Sequence, residues 1–152
     1  MSKGCVTRIA GWVVLMLVGA TAASAQWVMV GRMVVGKVTT MTQPRDDKTS
    51  GYDAATVILN AEAAKVYAKS LELLQKNPEV TLARKNDAKL TLAFKHGEWT
   101  SQMTVTPLGE NLCQVLIASS AGPGQPSGTS VVLQHIESVC DQFGVKYSLE
   151  AP

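Results

Sequence analysis

The stretch AATVILNAEAAKVYAKSLELLQKNP, residues 54–78, sets the fold class because its hydrophobic period changes part-way. AATVILN is a short apolar run with β-branched residues and reads as a strand, with Asn60 placed to cap a helix directly after it. From Ala61 the period becomes helical. Ala63, Ala64, Tyr67, Leu71 and Leu74 recur at steps of three and four, while Glu62, Lys65, Lys69, Glu72 and Lys76 take the other face. Glu72 and Lys76 stand at i,i+4, a spacing that supports a helix. Asn77-Pro78 stops it, since the residue before proline is pushed out of the helical region.

Downstream the period is two. EVTLARK points Val80 and Leu82 to one face, KLTLAFK does so with Leu90, Leu92 and Phe94, and EWTSQMTVTP with Trp99, Ser101, Met103 and Val105. The turn-like KNDAK and KHGE separate them, so an antiparallel meander is expected. A further run, NLCQVLIASS, aligns Cys113 with Val115 and Ile117. The Gly/Pro-rich AGPGQPSG then leads into a second helix, TSVVLQHIESVCDQF, with Ser127, Thr129 or Ser130 as cap and Gly144 as its end. Val132, Ile136, Val139, Cys140 and Phe143 form its apolar stripe. VKYSL alternates and offers a last edge strand.

Upstream, Lys3 and Arg8, the apolar IAGWVVLMLVGA and the small-x-small ending Ala23-Ser24-Ala25 have the layout of a secretory signal peptide, cut before Gln26. An uncleaved anchor is the competing reading, because no charge falls between Arg8 and Arg32. Gly19 and the polar patch Thr21 to Ser24 interrupt that run. Residues 1–25 are therefore read as signal, 26–53 as N-terminal strand or strands and a loop, and 54–152 as the compact domain. QPRDDKTSGYD supplies the linker. The expected location is periplasmic or secreted, with a membrane role only if the signal is retained.

At 152 residues with a formal charge of +2, the chain suits one domain and shows no clustered basic patch for nucleic acid. Export leaves Cys113 and Cys140, one on an inward strand face and one on the inward helix stripe. In an oxidising compartment such a pair is expected to form a disulfide closing a loop of about 28 residues, worth roughly 3 to 4 kcal/mol. Two buried free thiols are the alternative. No Cys-x-x-Cys spacing or basic neighbour points to a reactive thiol.

Other chemistry finds little support. His135, Ser138 and Asp141 share one helix without a nucleophile elbow, and read as a solvated flank. His96 and His135 lie far apart in sequence and show no metal-ligand spacing. AGPGQPSGTS lacks the Lys of a phosphate loop, although a Gly-rich turn before a helix can hold an anion. Thr81, Thr91, Thr100, Gln102, Thr104 and Thr106 are expected on a wet outer sheet face, or on one that accepts a partner. No catalytic residue, cofactor or metal is expected.

The order of strand, helix opening AEAAKVYAKSL, meander and long C-terminal helix resembles the opening of the START-like helix-grip proteins, which enclose apolar ligands. The resemblance covers little beyond that opening and carries no residue motif. Small exported domains of unknown function share the layout too. The expected architecture is α+β, an antiparallel sheet of four to six strands with two helices packed on one face. The function favoured is a non-enzymatic binding module for another envelope component. The alternative is a carrier of a small apolar ligand, whose cavity of several hundred Å³ would be lined by residues such as Trp99, Met103 and Phe143. A small envelope enzyme ranks third.

Overall fold

Period-two alternation builds one seven-stranded sheet, in the order β3-β4-β5-β6-β2-β1-β7. A computed structural model describes residues 34–43, 48 and 50–149. The signal-like segment and the start of the 26–53 segment lie outside the described residues. The strands are β1 (Lys37–Gln43), β2 (Gly51–Leu59), β3 (Val80–Asn86), β4 (Thr91–His96), β5 (Trp99–Gly109), β6 (Leu112–Ala121) and β7 (Ser148–Leu149). Helix α1 (Ala63–Lys76) follows β2, and α2 (Thr129–Gln142) follows β6. All strand pairs are antiparallel except β1 with β7.

Registers show why one face is apolar. Val38, Val57, Val115 and Val105 stand in one cross-strand row, and Ala55, Ile117, Met103 and Leu92 in the next. All eight are buried. Both helices lay their stripes on this face and touch each other, giving the expected α+β architecture with helices on one side of an antiparallel sheet. The opposite face carries the threonine series: Thr100, Gln102 and Thr106 are exposed, and Thr91 and Thr104 half-buried.

The sheet exceeds the expected four to six strands because the chain's end returns to the far edge. Ser148 donates its N–H to the Gly36 carbonyl at 3.0 Å, which adds β7 beside β1. Gly36 permits this approach: its φ is +78°, and a Cβ there would lie 2.2 Å from the Lys146 carbonyl oxygen. Strand β2 also starts earlier than expected. Gly51, Tyr52 and Asp53, read as loop, pair with Ala121, Ser120 and Ser119. A division between residues 53 and 54 thus falls inside β2.

The helix starts differ from expectation as well. Helix α1 begins after Glu62, with no side-chain cap from Asn60, and its buried stripe is Ala63, Val66, Tyr67, Ser70 and Leu74, with Ala64 exposed. The Glu72–Lys76 ion pair forms as spaced. At α2 the expected Ser127 hydroxyl accepts the Thr129 N–H at 3.2 Å, and a distant strand adds a carboxylate. Asp53 Oδ2 accepts the Gly128 N–H at 2.7 Å and its Oδ1 accepts the Thr129 hydroxyl at 3.1 Å. A carboxylate of the chain itself therefore fills the anion position that AGPGQPSGTS suggested. Gly144 ends α2 with φ +63°, as expected.

Candidate functional site

Where α1 and α2 meet over the sheet, their stripes leave a cavity of about 80 Å³. Helix α1 contributes Ser70, Leu73, Leu74 and the Asn77 that ends it; α2 contributes His135, Ser138 and Val139. Phe94, Met103 and Ile117, from β4, β5 and β6, form the floor. The helical residues fall at steps of three and four, so regular helix geometry is enough to aim them at one place.

Two polar groups distinguish this cavity from a packing gap. Ser70 is 1% exposed, and its hydroxyl has no hydrogen-bond partner among the described residues. A buried hydroxyl left unpaired is costly, by about 1–3 kcal/mol. His135 is the second. It is 7% exposed, packs edge-on against Phe94 at 4.9 Å between ring centres, and places Nε2 3.2 Å from Nδ1 of His96. His96 in turn reaches Oε2 of the exposed Glu79 through Nε2 at 3.3 Å. Burial, helped by the charge His96 can carry, pushes the His135 pKa down to about 4, so this imidazole is neutral in ordinary buffers.

Sequence reading placed His135 on a solvated flank; the structure places it in the core, because it continues the stripe of Val132, Ile136 and Val139. The Ser138 hydroxyl donates to the Gln134 carbonyl at 2.8 Å, the usual fate of a helical serine, and no His135–Ser138 hydrogen bond forms. Ser70 belongs to no sequence motif. The signal that could have found it is its place on the stripe, three residues after Tyr67 and four before Leu74.

Of the three residues expected to line a carrier's cavity, only Met103 does so. Trp99 instead lies under the start of α2, where a Cβ on Gly128 would come within 3.1 Å of its ring. Phe143 packs half-buried at the core's edge. The volume is also well below several hundred Å³, since side chains from both helices and three strands fill the remaining space.

Cys113 and Cys140 are completely buried and stand as free thiols, so the bridge expected between them is not formed in this structure. Burial pushes both pKa values up to about 11, and each packs as a small apolar residue in the core cluster. Among the described residues no group of three or more His, Cys, Asp or Glu is arranged to hold a metal ion.

No protein-family model matches the sequence, and no curated protein matches it. Solved structures do resemble the chain. A conserved protein of unknown function from Enterococcus faecalis, EF2215, is 12% identical with a TM-score of 0.46, over 64% of this chain and 75% of that one. The Zhui aromatase/cyclase from Streptomyces sp. R1128 is 11% identical with a TM-score of 0.38, over 63% and 87%. A Thermobifida fusca protein solved by NMR is 11% identical with a TM-score of 0.44, over 64% and 97%. At such identities the likeness concerns chain path and assigns no activity.

Proposed function

We propose that this chain is an exported, non-catalytic binding module that holds a small, mainly apolar molecule, or the end of a longer one, in the cavity between α1, α2 and the sheet. The observation that carries the reading is the Ser70 hydroxyl, buried and unpartnered on a wall that mixes apolar residues with Asn77, His135 and Ser138. A cavity of about 80 Å³ has room for about half a dozen water-sized groups, the size of one ring or a short chain. Phe94, Met103, Ile117, Leu74 and Val139 provide apolar contact, and Ser70 and His135 provide orientation.

Binding to the native state alone raises stability by mass action, by about 2.7 kcal/mol at a hundredfold excess over Kd. A panel of six- to eight-atom rings and chains should therefore include members that raise the melting temperature of the wild type. Ser70→Leu, which fills the cavity, should abolish that rise while keeping the fold. A panel that leaves the wild-type melting temperature unchanged at millimolar concentration would end the reading. Export with cleavage has its own test: the mature chain should begin at Gln26 by N-terminal sequencing, and a chain still starting at Met1 in the membrane fraction would contradict it.

A further inference from the structure

The chain Glu79–His96–His135 fixes where the protons lie, and so what kind of group the cavity accepts. Glu79 as a carboxylate can only accept, so the proton of a neutral His96 sits on Nε2 and is given to Glu79 Oε2 at 3.3 Å. That leaves His96 Nδ1 with a lone pair. The 3.2 Å contact with His135 is then made by the His135 Nε2–H, and a neutral His135 has no second proton to give. Its Nδ1 is then an acceptor, with no hydrogen bond to a described residue, on a ring that lines the same cavity as the unpartnered Ser70 hydroxyl.

Resting on the binding function proposed above, we propose that the cavity selects a small neutral hydroxyl compound, an alcohol or phenol. Its O–H is accepted by His135 Nδ1, and its oxygen is met by the Ser70 hydroxyl. The exposed Glu79 acts as a positioning residue: it touches no ligand and sets the tautomer two rings away. An apolar molecule of equal size leaves the buried Ser70 hydroxyl unsatisfied, and an acceptor-only molecule sets one lone pair against another at His135 Nδ1.

The test uses three rings of matched size at about pH 8: cyclohexanol, cyclohexanone and methylcyclohexane. Calorimetry or NMR titration of the full chain should show cyclohexanol bound about tenfold tighter than either other ring. Glu79→Ala, a surface change that leaves the cavity wall intact, should shrink that preference several-fold with little effect on methylcyclohexane. Nitrogen-15 NMR of the imidazoles provides a readout independent of ligand, and should show His135 protonated at Nε2 and bare at Nδ1. Cyclohexanone binding as tightly as cyclohexanol, or His135 protonated at Nδ1, overturns this inference and leaves the binding function standing. Failure of all three rings to bind removes this inference, and failure of the whole panel of rings and chains removes the binding function as well.

Discussion

His135 is neutral in the folded chain down to about pH 4, against an ordinary value of 6.5, and that difference makes stability depend on pH. The unfolded chain takes up a proton as pH falls through 6.5, whereas the folded chain does not until about 4. The contribution is therefore fully present above 6.5 and is lost progressively between 6.5 and 4. From about pH 7.5 to pH 5 the loss should be about 2 kcal/mol. Urea melts of wild type and His135→Gln at the two pH values isolate it: the variant should lose about 2 kcal/mol less over this range, and identical losses would mean that His135 titrates normally. The residues that matter here were only partly legible in the sequence. Apolar periodicity found the neighbours of Ser70 and His135 but passed over both, because a polar residue on an apolar stripe is not counted. The His96–His135 contact joins residues 39 apart and depends on how α2 lies on β4, which no local pattern reports.

At the scale of elements, the sequence was most informative where a single period governed a segment. The stretch Thr91 to Ile117 alternated as it folds, and the ends at Asn77-Pro78 and Gly144 were marked by residues whose backbone chemistry stops a helix. Helix starts were less legible: Ser127 does hold the Thr129 N–H, but α2 is also held by Asp53, 75 residues before Gly128. Asp53→Ala should destabilise the fold by about 2–4 kcal/mol, since it strands the buried Gly128 N–H and removes a negative charge from a helix N-terminus. Denaturant titration reads this directly, and a change below about 0.5 kcal/mol would show that the carboxylate does not hold the helix start. The thiols of β6 and α2 give a second prediction. With burial and pKa values of about 11, Cys113 and Cys140 should not react with a thiol reagent in the native chain beginning at Gln26 at neutral pH. Rapid native labelling would contradict the packing of α2 on the sheet. Under denaturing, non-reducing conditions, two thiols per chain mark the free pair seen here, and none marks the bridge that the sequence suggested.

For the whole molecule, the fold brings two helix stripes and three strands to one small cavity, and the polar groups at that point are the ones that the apolar pattern cannot explain. The rest of the core is filled, with Leu59, Leu92 and Ile136 fully enclosed. A small molecule bound by this domain should therefore touch a predictable set of methyl groups. Titration of methyl-labelled protein with cyclohexanol is the decisive measurement. Shifts should be concentrated at Leu73, Leu74, Met103, Ile117 and Val139, saturate with concentration and be absent in Ser70→Leu. No saturable shift at those methyls, or the same shifts in the filled variant, would show that the cavity is not a binding site.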